Sequence, residues 1–281
     1  MKTEQELKEI VKQKYGEIAM QGKEENMASC CGAGGCSTEV YNIMSEDYTT
    51  LEGYNADADL GLGCGLPTQF AKMKVGDVVV DLGSGAGNDC FIARHEVGET
   101  GKVIGVDFTP QMIERARINA EIRGFNNVEF RQGDIENMPI SANVADVIVS
   151  NCVLNLVPNK AGVFQDIYRV LKPGGHFSIS DVVLVGELPS GLQKDAEMYA
   201  GCVAGAIQKE DYMQLIQASG FVNVQIQKEK PIIIPNDILS HYLSAQEMEE
   251  FKSGKTGIFS ISVFAQKPLE ANACKPGSGC C

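Results

Sequence analysis

The chain changes texture along its length. Its opening stretch, EQELKEIVKQKYGEIA, sets Leu7, Ile10, Val11 and Ile18 between charged neighbours at helical spacing, which predicts an amphipathic helix. From Val78 onward the pattern becomes short apolar runs alternating with helical stretches. VVVDL (78–82), KVIGVD (102–107), VEFRQGD (128–134), ADVIVS (145–150) and HFSISDV (176–182) are expected to be strands; 88–95, 110–123 and 159–171 are expected to be helices. Strands apolar on both faces suit a parallel sheet covered on both sides, so the alternation predicts a doubly wound α/β fold. Pro110 at the start and Gly124 just past the end mark out the helix between them.

After the fifth strand an extra segment, VGELPSGLQKDAEMYAGCVAGAIQ, precedes another helical stretch, KEDYMQLIQASG. Two β-rich runs, 222–234 and 258–268, flank a helical stretch over 236–253 and are expected to complete the core. The tail, NACKPGSGCC, reads as disordered, and no internal repeat is present.

Composition narrows the function classes. A chain of 281 residues, 44% hydrophobic, has material for one large elaborated domain or for two. A net charge of −13 without a basic stripe argues against a nucleic-acid partner. The N-terminus is too charged for a secretory signal and no apolar run reaches spanning length, so the expectation is a soluble, cytoplasmic protein with no membrane partner, a monomer by preference. Ten cysteines then stand out. A reducing compartment disfavours disulfides and shifts the reading toward metal or thiol chemistry, with simple packing of small apolar thiols as the alternative.

The sequence VVVDLGSGAGND puts Gly83, Gly85 and Gly87 in the first strand-to-helix turn, where a backbone without side chains lets a ligand approach closely. Asp107 lies 20 residues beyond Gly87, the spacing of a carboxylate that accepts hydrogen bonds from ribose hydroxyls. A dinucleotide fingerprint would want glycine where this chain has Asn88. The pattern D-x-G-x-G-x-G instead resembles the first motif of class I S-adenosylmethionine-dependent methyltransferases. GDIENMP, NCVLNL and YRVLKPGGHF agree with that family, over roughly residues 75 to 182. The resemblance implies S-adenosylmethionine as cofactor. Asp134 and Ile135 would lie on the adenine, Asp107 on the ribose, Gly83 to Gly87 along the methionine end and Asn151 near the methyl group. Asp81, Ser84 and Met112 complete the implied set.

Ligands of open parallel sheets bind outside the carboxyl ends of the strands. Cys152 follows strand four at once, and Cys202 lies in the segment after strand five, the expected neighbour of strand four. Cys64 sits in GLGCGLP, a glycine-rich stretch free to fold across the same edge. Three converging thiols suit a soft acceptor. His95, His176 and His241 are scattered, without H-x-x-x-H or C-x-x-C spacing, and read as surface or packing residues. No general base stands out either, and a lone pair on a soft atom needs none.

GLGCG, SNCVLNL and MYAGCVAGA, together with DLGSGAGND, resemble the arsenite S-adenosylmethionine methyltransferases over about residues 40 to 235. The resemblance implies that Cys64, Cys152 and Cys202 bind trivalent arsenic, which is methylated stepwise to methyl and dimethyl products in arsenic detoxification. It implies arsenite or its thiol adduct as substrate, and a thiol reductant, glutathione or thioredoxin, to restore oxidised cysteines. Cys36 best matches a further family cysteine of the first methylation and disulfide cycling, with Cys30 and Cys31 competing. GLGCGLP would be a lid whose cysteine is the last ligand to arrive. Cys90 is expected to pack; Cys274, Cys280 and Cys281 lie on the tail, with metalloid capture the slightly preferred role.

The division that follows is an N-terminal helix with a Cys-rich, acidic extension (1–60), a cofactor core with the Cys64 lid (61–185), an arsenic-binding insertion with the elements completing the core (186–268), and the tail (269–281). Two alternatives stay open: a methyltransferase of this fold acting on an organic molecule, and a metalloid-binding protein without turnover. Antimonite is a second candidate substrate.

Overall fold

The computed structural model describes residues 3–21, 46–189, 205–234, 236–253 and 257–269. Helix α1 (Glu4–Ala19) opens on a capping box: the Thr3 side chain accepts from the Glu6 N–H while the Glu6 carboxylate accepts from the Thr3 N–H. A one-turn helix α2 (Pro67–Phe70) precedes β1 (Val78–Leu82), α3 (Asn88–Val97), β2 (Lys102–Asp107), α4 (Pro110–Ile122), β3 (Val128–Gln132) and β4 (Ala145–Asn151). A single 3₁₀ turn (Leu154–Leu156) leads to α5 (Lys160–Val170), β5 (Leu171–Val185), α6 (Lys209–Ala218), β6 (Val222–Ile232), α7 (Asn236–Tyr242), α8 (Ala245–Ser253) and β7 (Gly257–Gln266).

Seven strands form one sheet in the order β3-β2-β1-β4-β5-β7-β6. The first five are parallel; β7 runs antiparallel to both β5 and β6. The chain starts at β1, winds outward through β2 and β3, and returns to β4 on the other side of β1. The crevice at that reversal is where this class of sheet binds ligands. Period-two alternation divides the core: Val80 and Leu82 face α5 and α6 with Ile148, Phe164 and Phe177, whereas Val79 faces α3 and α4 with Val103, Phe91 and Met112. Burying each such side chain contributes about 1.5–3 kcal/mol.

Several boundaries differ from the sequence expectation. Strand three stops at Gln132, leaving Gly133 and Asp134 in the following loop. Strand five runs from Leu171 to Val185, not 176–182, because Leu171 pairs with Ala145 of β4 ahead of a register shift and the antiparallel ladder with β7 extends from His176 to Val185. The single helix expected over 236–253 is two. Ser244 and Glu247 exchange capping hydrogen bonds there and start α8 afresh.

Helix α1 packs on the body. Val11 and Ile18 are buried, and Arg115 of α4 donates to the carbonyl oxygens of Ala19 (2.9 Å) and Gln21 (2.5 Å). Among the described residues no helix is long and apolar enough to cross a membrane.

Candidate active site

A cleft of about 1090 Å³ opens at the carboxyl ends of β1, β2 and β4 and is roofed on one side by α1. Its floor is the glycine turn. Gly83, Gly85 and Gly87 all have positive φ (66°, 52° and 100°), a region costly for residues with a Cβ. Gly83 and Ser84 N–H groups donate to the Val106 carbonyl, which pins the turn to β2. A Cβ at Gly85 would meet nothing nearer than Met112 Sδ at 4.0 Å, so the missing side chain leaves cleft space open. Asp107 accepts from the Gly85 N–H (3.0 Å) and the Thr109 N–H (2.8 Å), holding the turn and the end of β2 together.

Of the residues expected from sequence to hold the cofactor, Asp81, Gly83, Ser84, Gly85, Asp107, Met112, Asp134, Ile135 and Asn151 line the cleft. Gly87 is not on the wall. It begins α3, and a Cβ there would strike the Phe130 ring at 2.8 Å. Lys8, Tyr15, Tyr48, Asp59 and Asp89 also line the cleft and were not singled out by sequence.

The wall is acidic: Asp59, Asp81, Asp89, Asp107 and Asp134 face one cation, Lys8. Lys8 bridges Asp134 (2.7 Å) and Glu136 (2.8 Å), tying α1 to the loop after β3. Burial disfavours the Lys8 ammonium, but its hydrogen bonds to the two carboxylates outweigh that and raise its pKa. Burial pushes the Asp81 carboxyl well above the usual range, as do the charges of Asp89 and Asp107, while the Cys90 thiol donating to it (3.2 Å) pulls the other way. Burial also raises Asp107, against the hydrogen bonds from Thr109 and Gly85. Asp89 is pushed up to about 6 by burial, against hydrogen bonds from Tyr48 and Asn151. A cavity that keeps carboxylates in so dry a setting is built to receive positive charge.

Three cleft-lining residues carry a buried side-chain oxygen without a hydrogen-bond partner: Asp89 Oδ1, Ser84 Oγ and Thr109 Oγ1. S-adenosylmethionine bears a sulfonium and an ammonium group, and the residues present fit it. Asp89 would take the ammonium, Asp107 the ribose hydroxyls, and the Gly83–Gly85 turn would admit the methionine chain.

Of the three expected thiols, Cys152 lines the cleft and Cys64 is buried off its wall. Cys152 is on the wall, directly after β4, with φ 59°, a left-handed backbone uncommon outside glycine and worth about 1–3 kcal/mol of strain. Its N–H donates to the Ser180 carbonyl (2.8 Å), holding it at the sheet edge. Cys64 is fully buried beside it in one apolar cluster, with Leu156, Val182, Leu188 and Ala206. The Cys64 N–H donates to Asn151 Oδ1 (3.0 Å), and the Cys64 carbonyl accepts from Ser260 Oγ (2.5 Å). The Gly65 carbonyl accepts from Asn151 Nδ2 (2.8 Å) and Tyr48 (3.1 Å), and the Pro67 carbonyl from Ser178 Oγ (2.8 Å). These bonds tie Cys64, Gly65 and Pro67, within the segment expected to be a lid, to residues of β4, β5 and β7.

Cys202 and Cys36, with Cys30, Cys31, Cys274, Cys280 and Cys281, lie outside the described residues. Among the described residues, no group of three or more His, Cys, Asp or Glu side chains is placed to hold a metal ion. Cys90 packs in the core and serves Asp81. His95 is half exposed beside Glu52, and His176 is bonded to the Ala71 carbonyl (2.6 Å) and packed on Phe264, surface and packing residues as expected.

A methyltransferase-domain family model matches residues 73–220. An arsenite methyltransferase of Halobacterium salinarum is 41% identical over 94% of this chain and 67% of its own length. One from Aquipseudomonas alcaligenes is 33% identical over 84% of this chain and 68% of its own. Among solved structures, an arsenic(III) S-adenosylmethionine methyltransferase from Chlamydomonas reinhardtii superposes with a TM-score of 0.62 at 29% identity, covering 82% of this chain and 73% of that one. The chain spans about two thirds of the length of the two sequence relatives.

Proposed function

The chain belongs to the family of arsenite methyltransferases and is an S-adenosylmethionine-dependent methyltransferase, and from that premise we propose that its acceptor is trivalent arsenic held by the thiolates of Cys64, Cys152 and Cys202. What supports this reading is that Cys64 and Cys152 are buried in one apolar cluster, Cys152 on the cleft wall and the Cys64 N–H bonded to Asn151, the residue before Cys152.

Cys202 is four residues before Ala206, which packs in the same apolar cluster as Cys64 and Cys152. Thiolates are the ligand form of cysteine and match a soft trivalent centre. The strained backbone at Cys152 supports the same reading, since strain of that kind persists where the surrounding structure needs a side chain in one place.

When bound, S-adenosylmethionine supplies an electrophilic methyl group on a positively charged sulfur. The chain's own part is to hold the two reactants. Asp89, Asp107 and the glycine turn would hold the cofactor, Asn151 would hold the Cys64 segment beside it, and the three thiolates would aim the arsenic lone pair. Positioning of this kind supplies up to about 7–11 kcal/mol of barrier reduction. No base is required, because the attacking lone pair carries no proton. The finer parts of the proposal are arsenite or its thiol adduct as substrate, Cys36 in the first methylation and in disulfide cycling, glutathione or thioredoxin as reductant, and a role in arsenic detoxification.

The test is arsenic speciation over time with purified protein, S-adenosylmethionine, arsenite and a thiol reductant, with Cys152→Ser alongside. Methylated arsenic from the native chain and at least about a hundredfold less from the variant is expected. Equal rates from both would transfer the activity to a different acceptor site. No methylated arsenic at all would turn the reading toward organic acceptors.

A further inference from the structure

The cofactor end and the thiol end of the cleft are joined through one hydroxyl. Tyr48 belongs to none of the sequence motifs and is 6% exposed. Its hydroxyl stands 3.0 Å from Asp89 Oδ2 and 3.1 Å from the Gly65 carbonyl oxygen, and it accepts from Asn151 Nδ2. Asn151 also donates to the Gly65 carbonyl (2.8 Å), reaches Asp89 Oδ2 (3.4 Å) and accepts from the Cys64 N–H (3.0 Å). The Cys64 N–H and the Gly65 carbonyl are therefore held by the same two side chains that hold Asp89. A Cβ at Gly63 would meet Asn151 Nδ2 at 2.6 Å and the Tyr48 hydroxyl at 3.2 Å, so the segment is pressed onto the pair.

A tyrosine hydroxyl has one proton, and here it has two acceptors. A bare Asp89 carboxylate competes strongly for that proton. Asp89 Oδ1 is the oxygen without a partner, and Asp89 is one of the residues lining the cleft. A cation bound there lowers the negative potential on the whole carboxylate and weakens its hold on the hydroxyl.

We propose that Tyr48 is a positioning residue that couples the two binding events: an ammonium-bearing cofactor at Asp89 releases the Tyr48 proton to the Gly65 carbonyl, which fixes the Cys64 segment for arsenic. The inference rests on the reading of Cys64 as an arsenic ligand. Linkage makes the effect reciprocal, so arsenic at Cys64 tightens the cofactor by the same factor.

S-adenosylhomocysteine is the probe, because it keeps the ammonium group and cannot transfer a methyl. Its dissociation constant is measured by calorimetry on the full reduced chain with and without saturating arsenite. The native chain is expected to bind it at least about fivefold more tightly when arsenite is present. In Tyr48→Phe that ratio falls to about one, with the melting temperature monitored to establish folding. A purely structural hydroxyl would shift both constants and leave their ratio unchanged. Asp89→Asn, which removes the charge and keeps the shape, is expected to erase the ratio by an independent route.

A native ratio of one, or a native-like ratio in Tyr48→Phe, overturns the inference. Cys64→Ser in the same titration separates the two levels. If arsenite binds that variant as well as the native chain, the Cys64 reading falls and the coupling with it. If arsenite binding needs Cys64 and Tyr48→Phe still keeps the ratio, only the coupling falls.

Discussion

The two ends of the cleft are built by different means. The cofactor end is local: Asp81, the three glycines, Asp89 and the start of α3 occupy nine consecutive residues, and Asp107 closes the turn from the next strand. The thiol end is assembled from afar. Cys64 is bonded to Asn151, 87 residues away, and to Ser260, 196 residues away. The first half is set once β1 and β2 pair; the second exists only when β4, β5 and β7 are all in the sheet. A methyltransferase core can thus keep its donor site while the long-range half is rebuilt for another acceptor.

Substitutions that strike one half alone test this separation. Gly85→Val should have the largest effect, since it forces a Cβ-bearing residue to φ 52° and fills the cleft. The added side chain occupies space in the cleft and should cost at least about tenfold in cofactor affinity, while left-handed strain of about 1–2 kcal/mol lowers stability. Titration with S-adenosylhomocysteine reads the loss, while arsenite affinity measured without cofactor stays unchanged. A parallel loss of arsenite binding would break the separation.

An intermediate effect is expected from pH. The raised Asp89 value means the empty protein takes up a proton as pH falls through about 6. This group's contribution to stability is therefore present at low pH and is lost as pH rises through about 6. A bound ammonium needs the ionised form, so S-adenosylhomocysteine affinity should fall by up to about tenfold per unit below pH 6. Calorimetry in two buffers of different ionisation enthalpy detects the released proton. Asp89→Asn should flatten the profile.

The smallest effect belongs to Lys8. Its ion pairs are partly exposed, so Lys8→Ala should weaken cofactor binding by about two- to fivefold at low salt and by less at high salt. Affinity that is unchanged at every ionic strength would remove α1 from the cofactor site.

The same contrast explains what sequence could and could not reveal. Hydrophobic period and the glycine turn located β1, β2 and the floor of the cleft, because those signals lie within a dozen residues. Asp89 lies inside DLGSGAGND, and an acidic residue in the first turn of the helix after the glycine turn is a readable signal. Ser244-Ala-Gln-Glu247 likewise has the spacing of a capping box, which marks the break between α7 and α8. Tyr48 and Lys8 carry no such signal. Their partners Asn151 and Asp134 lie 103 and 126 residues away, and only the folded sheet brings them together.

The most direct test of the central claim is the coordination of arsenic itself. X-ray absorption at the arsenic edge of the arsenite-loaded, reduced protein should report three sulfur neighbours and no oxygen. In each of Cys64→Ser, Cys152→Ser and Cys202→Ser one sulfur should be lost and an oxygen gained. Three sulfurs retained in all three variants, or an oxygen-only shell in the native protein, would contradict the assignment of these thiolates.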